Sequence, residues 1–124
     1  MSRRLIIEQP IKIEKGWGYE LHIHNADGYC SKILHFDKGA AFSLHMHIEK
    51  HETWYVARGS FELRGVDPDT TEAYSLELKQ GDVVSINRGI LHQLVAHEDS
   101  DIFEASTPDK PEDSYRIKKG DSQS

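Results

Sequence analysis

The stretch "SLHMHIEKHETWYVARG", Ser43 to Gly59, sets three histidines and two glutamates within the ten residues from His45 to Trp54, then runs into a strand-like sequence. In a strand, side chains alternate faces, so His45 and His47 fall on one side and Met46 on the other. An apolar interior has little use for two imidazoles. The next strand opens at Glu52, and its inward set is Glu52, Trp54 and Val56. A carboxylate heading an apolar face is costly to bury unless something cationic meets it, and a metal ion supplies that charge. Later, "GDVVSINRGILHQLVA" places His92 at the start of another strand, just past a glycine-containing turn. Three imidazole nitrogens and one carboxylate oxygen suit zinc, manganese, iron, nickel or cobalt rather than calcium. Glu49 and His51 share the intervening loop and could replace Glu52 if its register differs.

The elements that must position these groups are short. Runs of apolar or alternating residues cover Gly18–His24, Tyr29–Phe36, Ala41–His45, Glu52–Ala57, Ser60–Arg64, Ala73–Leu78, Asp82–Ile86, His92–Ala96 and Asp101–Ala105, with almost no helical periodicity. "NADG", "DKG", "RGS", "VDPDTT", "KQGD" and "NRG" separate them with residues suited to turns. Many short strands at regular spacing predict an all-β antiparallel sandwich or barrel. The 124 residues suit one domain: a barrel over 1–106 with an N-terminal strand arm, and a polar, proline-bearing tail over 107–124.

Charge narrows the partners. With 29% charged residues and a formal net charge of −6, the chain repels phosphate backbones and anionic membranes, so neither nucleic acid nor membrane is expected as a partner. The basic start leads into an apolar run of only Leu5 to Ile7, which does not read as a signal peptide, and no stretch is apolar for long enough to span a bilayer. The single cysteine, Cys30, fits a reducing compartment and reads as a small buried filler; a cytoplasmic protein is expected.

The same residues resemble the cupin motifs. The first motif, G-x5-HxH-x3-4-E-x6-G, is matched at Gly39, His45, His47, Glu52 and Gly59. The second, G-x5-PxG-x2-H-x3-N, is matched at Gly81, Gly89 and His92, with Asn87 and Ala96 where proline and asparagine are usual. The resemblance implies a cupin double-stranded β-helix, or jelly-roll barrel, with one divalent transition metal (Zn, Mn, Fe or Ni) on His45, His47, Glu52 and His92, and a homodimer. His22, His24, His35 and His97 are then structural or exposed.

Within the cupins, the chain is similar to the type II phosphomannose isomerase domain from about Glu14 to Arg116. "EKGWGYE" resembles the family's PWG-x-E opening. Lys32 falls on its lysine, and Lys38-Gly39 lies near its KPG turn. Glu52-x-Trp54, "I-x-x-G-x-x-H" over Ile86–His92, "STP" and "ED-x-Y" follow. His45 stands where those isomerases carry glutamine, Gly16 where they carry proline, and "EDSYR" lacks a usual glycine. The resemblance implies aldose–ketose isomerisation of a sugar phosphate, with Lys32 and Arg116 as catalytic and phosphate-binding groups and Trp54 along the pocket wall. No separate general base stands out in the sequence. A metal-dependent dioxygenase and a non-catalytic sugar or small-anion binder share the same donor set.

Overall fold

Alternation in the sequence becomes alternation of burial. In the strand Tyr29–Phe36, Cys30, Lys32, Leu34 and Phe36 are buried while their neighbours face outward, and in Glu52–Arg58 the buried set is Glu52, Trp54 and Val56, as the spacing predicts. The computed structural model describes residues 5–122; the basic start at Arg3 and Arg4 lies outside them.

Eleven strands are found among the described residues: β1 (Ile11–Lys15), β2 (Gly18–Ala26), β3 (Tyr29–Phe36), β4 (Leu44–Met46), β5 (Glu52–Arg58), β6 (Ser60–Val66), β7 (Ala73–Lys79), β8 (Val83–Ile86), β9 (Leu91–Ala96), β10 (Ser100–Ser106) and β11 (Tyr115–Lys118). They form two antiparallel sheets, ordered β1-β2-β3-β10-β5-β8 and β11-β4-β9-β6-β7, a jelly-roll β-sandwich. Among the described residues the only helical element is a 3-10 turn at Pro111–Asp113, and no helix there is long and apolar enough to cross a membrane. Between the sheets lies a core of Trp17, Leu34, Phe36, Phe42, Trp54, Val56, Phe61, Leu63, Leu78, Ile86, Leu94, Ala96 and Ile102.

All nine expected strands form, with shifts at their ends. The segment expected to run as a strand from Ala41 to His45 is shorter: Ala41 makes only an isolated bridge to Val95, and regular pairing starts at Leu44. At the β5–β6 hairpin, Gly59 takes φ +85°, and a Cβ there would collide with the Ser100 side chain, so this turn requires glycine. Beyond Ser106, the polar segment is woven into the second sheet. β11 pairs with β4, Tyr115 opposite Met46 and Arg116 opposite His45, and Asp113 is buried.

One feature of register leads to the site. The inward faces of β3, β5 and β10 are apolar at one end and charged at the other: Leu34 gives way to Lys32, Val56 to Glu52 and Ile102 to Glu104. Lys32, Glu104 and Trp54 lie in one cross-strand row, and Ser106 pairs with Glu52 one step further along. The charged ends therefore collect at one end of the sandwich.

Candidate metal centre

Two of the three histidines meet by strand pairing, because His45 on β4 lies directly opposite His92 on β9. His47 follows just past β4, where its carbonyl accepts a 2.7 Å hydrogen bond from the Gly89 amide. One nitrogen from each ring falls within 4.8 Å of the others. Each ring is oriented by the backbone. Nδ1–H of His45 donates to the Ser43 carbonyl at 2.7 Å, that of His47 to the Asp113 carbonyl at 3.0 Å, and that of His92 to the Ile90 carbonyl at 2.8 Å. A carbonyl only accepts, so these bonds place the hydrogen on Nδ1 and leave Nε2 as a lone-pair donor on all three rings. Burial, then the neighbouring His92, drives His45 down to about 3; burial drives His92 down to about 4 and lowers His47 as well. At neutral pH all three are uncharged ligands.

Glu52, the fourth expected ligand, comes from the facing sheet. Its Oε2 stands 3.6 Å from His47 Nε2, beside the histidine group, and its Oε1 accepts a 2.8 Å bond from Trp54 Nε1–H. Two buried polar atoms lack a hydrogen-bond partner among the described residues: Glu52 Oε2 and His92 Nε2. Burial raises the Glu52 carboxyl above its ordinary range, with the Glu104 carboxylate adding to it. The three imidazoles form a donor set that fits a borderline transition metal, and the Glu52 carboxylate, outside that group, stands 3.6 Å from one of them. The expected substitutes do not converge, since Glu49 and His51 are exposed.

The ligand-bearing loop is held by Asp113, the aspartate of "ED-x-Y", for which the motif implied no role. The Asp113 carboxylate accepts from the Ile48 amide (3.0 Å), the Glu49 amide (3.0 and 3.2 Å) and the Lys50 amide (2.9 Å). The segment beyond Ser106 therefore fixes the loop between His47 and Glu52.

His45, His47 and Glu52 open on a cavity of about 360 Å³, which Trp17, Glu20, His22, Lys32, Lys50, Glu104, Asp109 and Arg116 also line. Lys32, which reads equally as a charge snorkelling to solvent, is buried: its Nζ lies 2.8 Å from Asp109 Oδ2 and 3.6 Å from Glu20 Oε1. Lys50 lay in what read as a polar loop. It is also buried, with Nζ 3.0 Å from Glu104 Oε2, 3.3 Å from Asp109 Oδ1 and 4.0 Å from Glu52 Oε2. Asp109 thus bridges the two lysines. Burial alone would raise its carboxyl, but Lys50 and Lys32 overcome this and hold it well below the usual range. Lys50 sides with Glu104, whose carboxyl is lowered despite burial, and leaves Glu52 the acid in need of a cation. The signal for Glu104 was its place in the alternation, two residues from Ile102 on an inward face; Lys50, in the loop before β5, carried none.

Two expectations need correction, those for Trp54 and His22, and Arg116 is placed at the cavity as expected. Trp54 does not reach the cavity; it is fully buried in the core, and its contribution is the hydrogen bond that orients Glu52. Arg116 reaches the cavity from the exposed strand β11, at its rim. His22, read as structural or exposed, lines the cavity with Glu20.

The family described as Cupin matches residues 17–118. No curated protein matches the chain in sequence. Among solved structures, KdgF from Halomonas sp. is 22% identical with a TM-score of 0.65, the match covering 76% of this chain and 81% of that one. The capsular polysaccharide assembling protein CapF from Staphylococcus aureus is 17% identical with a TM-score of 0.79, over 90% of this chain and 32% of CapF. Oxalate decarboxylase from Bacillus subtilis is 19% identical with a TM-score of 0.73, over 93% of this chain and 33% of that one. At these identities the likeness speaks for the fold, and this chain spans about a third of the latter two proteins.

Proposed function

The chain belongs to the cupin family, and from that premise we propose that it is a metal-binding cupin of the sugar-phosphate isomerase type, interconverting an aldose and a ketose phosphate as mannose-6-phosphate isomerases do. The observation that carries the metal is the pair of orphaned buried atoms, Glu52 Oε2 and His92 Nε2, at a group of three carbonyl-oriented imidazoles. His45, His47, His92 and Glu52 would hold one divalent transition ion. When bound, such an ion supplies Lewis-acid polarisation of a substrate oxygen.

The other side chains favour a small, polar, anionic ligand. A cavity of about 360 Å³ lies at the small end of ligand sites. Lys15, Lys110 and Arg116 line it as less enclosed cations and suit a phosphate, while Lys32 and Lys50 stand deeper, held in place by Asp109. The name of one structural neighbour, oxalate decarboxylase, fits this ligand class, oxalate being a small anion. The proposal keeps the expected setting, a cytoplasmic homodimer without nucleic-acid or membrane partners.

The test combines elemental analysis of protein purified without added metal with NMR of mannose 6-phosphate in D2O and an oxygen electrode. Stoichiometric metal with deuterium entering at C2 and ketose forming supports the proposal. Oxygen uptake instead makes the chain a dioxygenase. Thermal stabilisation by sugar phosphate without turnover makes it a binding protein.

A further inference from the structure

Aldose–ketose isomerisation needs a group that takes a proton from one carbon and returns it to the next. We propose that His22 is this general base and that Glu20 positions it, an inference that rests on the isomerase reading above. Glu20 and His22 stand two residues apart on β2, on the face that lines the cavity. Glu20 Oε1 lies 2.6 Å from His22 Nε2. A carboxylate only accepts, so the hydrogen sits on Nε2 and the lone pair on Nδ1, which has no protein hydrogen bond among the described residues. The geometry is that of a carboxylate-oriented imidazole.

Access separates this pair from the other acids of the cavity. The His22 and Glu20 side chains are 22% and 15% exposed, against 4% for both Glu52 and Glu104. Glu104 is engaged by Lys50, and Asp109 by both lysines. The charged groups facing the pair are Lys32 on β3, 3.6 Å from Glu20 Oε1, then Glu104 on β10, which pairs with Lys32, and Asp109 beyond it. A bulge between His22 and His24 leaves Ile23 without a register partner, the kind of irregularity that re-aims a side chain at a site.

In the step assigned to it, His22 Nδ1 takes the C2 proton of the open-chain aldose phosphate. The C–H electron pair forms the C1=C2 bond, and the carbonyl pair moves to O1. The imidazolium then returns its proton to C1 as the C2 carbonyl forms. The proton gained by O1 is matched by the one lost from O2, so there is no net proton or electron change.

The experiment compares the parent, H22Q and E20Q, each with metal content measured, on C2 deuterium exchange of mannose 6-phosphate and on binding of the unreactive mannitol 6-phosphate. H22Q is expected to lose about 10²- to 10⁴-fold in kcat with metal stoichiometry and mannitol 6-phosphate affinity unchanged. E20Q should lose less, and in kcat rather than KM, with metal stoichiometry and mannitol 6-phosphate affinity unchanged, because a neutral amide oxygen holds the His22 Nε2–H more weakly than a carboxylate does. An H22Q protein with parental kcat overturns the assignment, and so does loss of metal or ligand affinity in step with turnover. A parent that exchanges no C2 hydrogen refutes the isomerase reading and this role with it.

Discussion

Replacing Asp113 by alanine should uncouple the segment beyond Ser106 from the metal-ligand loop. The carboxylate serves three amides. The Lys50 amide belongs to a buried residue and would be stranded, which costs about 1–3 kcal/mol. Ile48 and Glu49 are exposed, so water can take over their amides, and each loses about 1 kcal/mol. The total is about 4 kcal/mol, and at roughly 4 °C per kcal/mol for a chain of this size the melting temperature should fall by about 15 °C. D113N keeps one acceptor oxygen and should fall between the two. Burial alone would raise the Asp113 carboxyl, but the amides of Glu49, Lys50 and Ile48 hold it below the ordinary range. A depressed folded-state pKa contributes stability above the unfolded value, about 3.9, and that contribution is lost as pH falls through the folded value. The gap between parent and D113A should therefore hold from neutral pH to about pH 4 and close below it. Circular-dichroism melts of metal-free protein across pH 3–7 measure both quantities. A drop under about 4 °C, or a gap that does not shrink in acid, refutes the reasoning.

His92→Ala should abolish metal binding, and with it the stabilisation of about 2.7 kcal/mol that a ligand at a hundredfold excess over its Kd confers; stoichiometric metal retained by the variant would place the ion elsewhere. Trp54→Phe removes the donor to Glu52 Oε1, so metal affinity should drop about 10- to 100-fold, read by competition with a chelating dye; unchanged affinity would show that Glu52 needs no such support. Lys50→Met strands Glu104 and should cost about 3–5 kcal/mol in urea unfolding. Adding Glu104→Gln should recover part of that loss, and strict additivity in the double-mutant cycle would show that the two residues do not interact.

The sequence made the strands legible wherever a period of two met a core. β3, β5 and β10 declare themselves because Leu34, Trp54 and Ile102 recur at inward positions. β11 did not, and β1 was legible only as an N-terminal arm without bounds, since edge strands whose residues are almost all exposed carry no burial pattern. His45, His47 and His92 could be gathered from spacing because β4 and β9 are neighbours. The second tier could not: Lys50, Asp109 and Asp113 act through contacts spanning 59 to 77 residues of sequence, from segments that look like polar loops. Trp54 misled for the same reason that placed it correctly. Alternation puts it on the face of Glu52, but depth along that face decides between core and cavity, and depth depends on the facing sheet.

The run of contacts from Lys32 through Asp109 and Lys50 to Glu104 has a consequence for how this protein can change over evolutionary time. Removing one partner of a buried ion pair is strongly destabilising, whereas replacing both by matched apolar groups can be neutral. Positions 32, 50, 104 and 109 are therefore poorly reachable by single substitutions and should drift as a block, so that homologues fall into groups that keep the full set or have exchanged it together. Such groups would mark boundaries between ligand preferences, because the block forms part of the cavity wall.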